Sequence, residues 1–148
     1  MQLMRGFTLI ELMVTISVIA IIAMMAIPPF KNMLTQQDLK KNTNELIGVL
    51  NQARAKAALE RKNVEVELSP SEVDLLPQNT DTTIYWMPYG KVHLTTASET
   101  KITYGLNGSV RDAGSDTTFI ICSEIGGKSQ IVKVSKMGTI QQAIQGAC

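Results

Sequence analysis

Histidine occurs once in the 148 residues, tryptophan once and cysteine twice. With His93 alone and no Cys-x-x-Cys, the donor set of a zinc site is missing. No nucleophile–base pairing can be read around His93 either, so it reads as a surface or packing residue. The expectation is a chain with no catalytic site, no cofactor and no metal, hence not an enzyme. Aromatics make up 5% of the residues, which counts against a platform for stacking nucleic-acid bases. Tyr85, Trp86 and Tyr89 cluster, and core packing is their expected use. Lys and Arg number 14 against 13 Asp and Glu, so no bulk basic character argues for a polyanion. Gly126-Gly127-Lys128-Ser129 lacks the spacing of a phosphate loop and reads as a hairpin turn.

What the chain does have is an apolar start. A short leader carrying one cation, Arg5, ends at Gly6, and an apolar run follows from Phe7 to Ile27. At about 21 residues the run fits a bilayer span better than the ~7–15-residue core of a secretory signal. Ala20, Ala23 and Ala26 could imitate a signal cleavage site, but a carboxylate, Glu11, lies inside the run. A charge there costs roughly 2.5–3.5 kcal/mol on insertion scales and asks for a functional reason. A plain membrane anchor explains the length of the run and leaves the acid unexplained.

The string Gly6-Phe7-Thr8-Leu9-Ile10-Glu11-Leu12 resembles the processing signal of the type IV pilin superfamily. The resemblance implies cleavage between Gly6 and Phe7 by a prepilin peptidase, then N-methylation of Phe7. Glycine suits the cut because no side chain obstructs the backbone. Arg5 would keep the leader on the cytoplasmic side. The resemblance also implies that Glu11 meets the free N-terminus of a neighbouring subunit. Pairing two buried charges offsets much of their desolvation and fixes the register of the subunits. The alternative is a Glu11 that reaches to the membrane interface. Thr8, Thr15 and Ser17 read as helix residues bonded back to carbonyls. Pro28 matches the proline that kinks pilin helices, and Pro29 is an addition.

An exported domain faces an oxidising compartment, so Cys122 and Cys148 read as a disulfide. The alternatives are two free thiols or an intermolecular bond. The chain-entropy model assigns a loop of this size roughly 3–4 kcal/mol.

Four regions follow: 1–6 leader, 7–29 transmembrane and assembly helix, 30–62 amphipathic second half of that helix, and 63–148 a β-rich domain. In the second half Leu39, Leu46, Leu50, Ala53 and Ala57 form a stripe, with Lys40, Lys41, Glu45, Arg54, Lys56 and Glu60 largely off it. Helix is expected to about Arg61. From Val64 the period becomes two, and strands are expected at Val64–Leu68, Ile84–Met87, Val92–Leu94, Ile102–Tyr104, Thr117–Cys122 and Gln130–Ser135. Residues 72–76 are read as a hairpin partner of the first strand. Asn107-Gly108 and Met137-Gly138 are turn signals. The fold class is α+β and pilin-like, a long N-terminal helix packed on an antiparallel sheet domain.

Asn44–Ala57 resembles the "N-E-L, hydrophobic, A-R-x-x-A" stretch of FimT/FimU/GspH-type minor pilins, and Ile102–Val110 and the strands at 118–122 and 131–138 are similar to later elements of that group. The resemblance implies a minor pilin that helps initiate pilus assembly at or near the tip, supporting twitching motility, adhesion and DNA uptake. Implied partners are other minor and major pilins, the prepilin peptidase/methyltransferase and the inner membrane. The implied location is a single pass of the bacterial inner membrane with a periplasmic domain, then the pilus at the cell surface. One alternative is a DNA receptor for natural transformation. Some FimT-type proteins carry a Gly-Arg-x-Arg motif, but the matching place here reads Gly138-Thr139-Ile140-Gln141, and only Lys128, Lys133 and Lys136 remain to bind phosphate weakly. A second alternative is the minor pseudopilin H of type II secretion.

Overall fold

The computed structural model describes residues 7–124 and 127–148, leaving out the side chains of 25–32. The elements are one helix, α1 (Leu9–Glu60), and seven strands: β1 (Val64–Leu68), β2 (Thr83–Trp86), β3 (Val92–Leu94), β4 (Lys101–Tyr104), β5 (Thr117–Ser123), β6 (Lys128–Val134) and β7 (Ile144–Ala147). Two compact units divide the chain, residues 1–34 and 35–148.

In the first unit, helix begins where Thr8 Oγ1 accepts the Glu11 N–H at 3.3 Å. Thr8 is thus an N-cap with Glu three residues on, half of a capping box. Thr15 and Ser17 donate to the carbonyls of Leu12 and Met13, both at 2.8 Å, as the sequence implies. The helix continues through positions 28 and 29. The kink expected at Pro28 falls on side chains outside the described residues.

In the second unit the helix ends one residue before the expected Arg61. Arg61 adopts a left-handed φ of 49°, and the Lys62 N–H reaches the Ala57 carbonyl at 3.3 Å. That bond returns the chain over the last helical turn, the arrangement of a Schellman cap. The stripe on this half is buried at Leu39, Leu46, Leu50, Ala53 and Ala57, as its periodicity requires. The gap between Leu39 and Leu46 is filled by Asn42 and Thr43, both buried. Thr43 donates to the Leu39 carbonyl at 2.7 Å, so its hydroxyl is satisfied within the helix.

The strands form two sheets, ordered β2-β1-β4 and β3-β5-β6-β7. Val64, Val66 and Leu68 point into the core while Glu65 and Glu67 lie half-buried on the other face. Across that outer face Lys101 Nζ meets a Glu65 oxygen at 2.7 Å, and Thr103 donates to the other at 3.2 Å. Lys101 holds the Glu65 carboxyl below its ordinary value, against an opposing push from burial. Both sheets and the helix share one core, in which Tyr104, Phe119, Leu46 and Leu50 are the largest fully buried side chains. Trp86 is buried with them, the packing role expected for it, and Tyr85 and Tyr89 are half-buried.

The α+β class holds, a long helix followed by strands in two sheets, with three differences in detail. The β1–β2 pair is parallel, from Glu65↔Thr83 to Leu68↔Trp86, while every other named pair is antiparallel. Residues 72–76 are not strand. Val73 and Leu75 stand exposed between Pro70 and Pro77, so their alternation has no neighbouring strand to pack on. A seventh strand, β7, adds an edge to the second sheet where none was expected.

Candidate assembly site

Every described side chain from Phe7 to Met24 is exposed, including Phe7 at 81% and Ile10 at 72%. Apolar side chains face outward around the whole circumference of the helix. A helix of that kind is stable only in an apolar setting, lipid or other helices. The hydroxyls of Thr15 and Ser17 are already satisfied inside the helix, which removes the main penalty for such a setting. Among the described residues, no helix is long and apolar enough to cross a membrane. Leu9–Met24 rises about 24 Å, short of the ~30 Å hydrocarbon core. The apolar run in the sequence continues to Ile27, beyond the last described side chain of this stretch.

Glu11 sits in the first turn of this helix, where the positive end of the helix dipole favours a carboxylate. Its carboxylate forms no ion pair among the described residues, although its backbone is held by the Thr8 cap. The sequence reading overlooked that cap; its signal was Thr8 followed at a spacing of three by Glu11. Gly6, on the leader side of the expected cut, lies outside the described residues. Phe7, on the other side, is described and open to solvent.

The cysteines are joined. Cys122 and Cys148 form a disulfide with Cα atoms 5.9 Å apart. Lys128, Lys133 and Lys136, read from sequence as a solvated strand face with weak phosphate binding as the alternative, fall on β6 and the turn after it. The β5–β6 register runs without a bulge from Thr117↔Val134 to Cys122↔Ser129, so Lys128 and Lys133, five residues apart, project from opposite faces. Lys136 lies in the turn beyond β6.

A second cluster ties the helix to two turns. Arg54 donates from Nε to the Gly108 carbonyl and from a terminal nitrogen to the Met137 carbonyl, each at 3.2 Å. The turns also bond directly, Val110 N–H to the Lys136 carbonyl at 2.9 Å. Gly138 has a φ of +77°, and a Cβ there would lie 2.0 Å from the Gly108 oxygen. Both Asn-Gly and Met-Gly turn signals were legible. That Arg54, nominally off the stripe, joins them was not.

Three comparisons bear on this arrangement. Residues 1–27 match the prokaryotic N-terminal methylation motif. Two fimbrial proteins of Pseudomonas aeruginosa are each 32% identical over 72 residues, covering 49% of this chain and 46% of the relative. The chain thus matches about half the length of these curated relatives. The crystal structure of the type IV minor pilin FimU from P. aeruginosa strain PAO1 shares the fold, with a TM-score of 0.53 over 76% of this chain and 96% of FimU, at 17% identity. The N-terminus is thus similar to an N-terminal methylation motif, 72 residues are similar to fimbrial proteins, and the likeness to FimU shows a shared fold.

Proposed function

We propose that the chain is a minor pilin that helps initiate pilus assembly and enters the filament at or near its tip. The observation that carries this reading is the helix from Leu9 to Met24, apolar on every side and interrupted by one carboxylate. In the proposal a prepilin peptidase cuts between Gly6 and Phe7, and the Phe7 amine is methylated. The apolar helix first holds the subunit in the inner membrane, with residues 63–148 in the periplasm. It then packs among the helices of other pilins, with Glu11 paired to a neighbour's N-terminus. Twitching, adhesion and DNA uptake are then consequences of having pili. FimU, whose fold this chain shares, is itself a type IV minor pilin, which supports a minor rather than a major role.

A direct DNA-receptor role is less well supported, because strand alternation separates Lys128 from Lys133 and the Gly-Arg-x-Arg place holds no arginine.

The test is a deletion strain in which surface pili, DNA uptake and type II secretion are scored together. Loss of pili restored by the intact gene is the expected result. Normal pili with reduced uptake would favour the receptor, and normal pili with reduced secretion the pseudopilin.

A further inference from the structure

The second sheet packs one of its faces on the core, where Phe119, Ile121, Val132 and Val134 are fully buried. Strand alternation sends Ile120 on β5, Ile131 on β6 and Ile144 on β7 to the other face. The register sets these three side by side, Ile120↔Ile131 and Ile131↔Ile144. They form a ladder of β-branched apolar side chains across three neighbouring strands. Gly146 reports the same face, since a Cβ there would lie 3.2 Å from Ile131 Cδ1 and 2.8 Å from Ser129 Oγ. None of the three isoleucines belongs to the core cluster. Ile120 and Ile131 are half-buried and Ile144 is 54% exposed. Strand propensity does not account for them, because Thr118 on the same face shows that a polar β-branched residue serves as well. Contiguous apolar side chains on an outer sheet face mark a docking surface.

The charge on this face is one-sided. Strands β3, β5, β6 and β7 contain no Asp or Glu. Lys133 lies on the ladder side, across from Thr118, exposed and without an ion pair among the described residues. A second copy of the sheet would bring the same ladder and another unpaired lysine, with no carboxylate to meet either. The complement is therefore a different apolar surface that carries an Asp or Glu. Three side chains fall well short of the roughly 800 Å² per partner that a stable interface buries. A contact that small forms only with a partner already held nearby, where effective concentration is high.

We propose that the ladder of Ile120, Ile131 and Ile144 docks the β-domain of a different pilin anchored in the same membrane, which presents apolar side chains to the isoleucines and a carboxylate to Lys133. The inference rests on the filament role proposed above, because that role supplies the shared anchoring. The isoleucines give the contact its area, and Lys133 selects the partner by charge. A second copy of this chain is disfavoured by the same lysine, so the surface pairs unlike subunits.

Photo-cross-linking in cells that make the full chain tests it, with benzoylphenylalanine at position 144, a place the core does not use. The expected adduct joins position 144 to another protein that mass spectrometry identifies by its own N-terminal methylation motif. Lys133→Glu should lower that adduct at least tenfold, and Lys133→Arg should keep it. Lys133→Gln reads the same loss should Lys133→Glu not accumulate. The same probe at position 75, exposed in the loop between β1 and β2, should not give the adduct. Adducts to a second copy of this chain, to lipid or to nothing overturn the proposal. An adduct indifferent to Lys133→Glu, or formed equally from position 75, also overturns it. The N-terminus of the chain in sheared pili is read from the same cells. A chain that starts at Phe7 in pili but gives no adduct overturns the ladder and leaves the filament role standing. A chain left uncut in the membrane overturns the filament role, and the ladder proposal with it.

Discussion

Asn42 on α1 and Tyr89 in the loop after β2 are joined twice. The Tyr89 N–H donates to Asn42 Oδ1 at 2.9 Å, and Asn42 Nδ2 donates to the Tyr89 carbonyl at 3.2 Å. The same amide nitrogen also donates to the Asp38 carbonyl at 2.9 Å. The Asn42 side chain is fully buried, so its amide has no water to fall back on. Asn42→Ala leaves both Tyr89 backbone groups without their partner. A stability loss of about 2–3 kcal/mol is expected, from the cost of stranding buried polar groups. Urea denaturation of the full-length chain in detergent, followed by far-ultraviolet circular dichroism, measures it.

Gly138 in the turn cluster and Gly48 on the helix predict opposite signs. Gly138→Ala places a methyl against the Gly108 oxygen on a left-handed backbone, and should cost more than about 2 kcal/mol. Gly48→Ala meets nothing within 4 Å in the middle of α1, and should stabilise by about 0.5–1 kcal/mol. Denaturation midpoints of the two variants against the parent settle both.

Burial raises the Tyr104 phenol well above its ordinary value, and the nearby Arg54 charge pulls it partly back. Its hydroxyl finds no hydrogen-bond partner among the described residues. The folded value lies above the unfolded value of about 10, so this contribution to stability is present below pH ~10 and is lost as the pH rises further. Tyr104→Phe removes both the stranded hydroxyl and the titration. Equal or higher stability near pH 7, with a smaller loss than the parent near pH ~11, is the expected pattern. A variant that tracks the parent across that range would show that Tyr104 is not the group responsible.

Glu11→Ala should leave the domain folded, since its carboxylate is unpaired among the described residues and lies in the first unit. Under the proposed pairing with a neighbour, the variant accumulates in the membrane and drops at least tenfold in sheared filaments. Incorporation at the parent level would show that the carboxylate does not register subunits.

Much of this architecture was legible from period alone. The buried stripe, the end of the helix near Arg61 and six of the strands follow from spacings of 3.6 and 2, because burial is what those spacings express. The misses share a physical cause. Asn42 and Thr43 are buried by hydrogen bonding rather than hydrophobicity, and a pattern search sees only a gap between two leucines. Residues 72–76 alternate without a neighbouring strand, which a local reading cannot know. The β7 sequence, Ile-Gln-Gly-Ala, carries no strand signal, since its place is set by backbone pairing and by Cys148. At the N-terminus the string around Glu11 was specific, and it is the part that the methylation motif matches. The lysines at 128 and 133 looked close in sequence, but an odd spacing in a strand puts them on opposite faces.

The central claim is that this chain is cut and carried into a filament. Mass spectrometry of sheared, purified pili tests it most directly. The account predicts a chain beginning at N-methylated Phe7, present in far fewer copies than the major subunit. A chain found only in the membrane fraction, with residues 1–6 still attached, would contradict it.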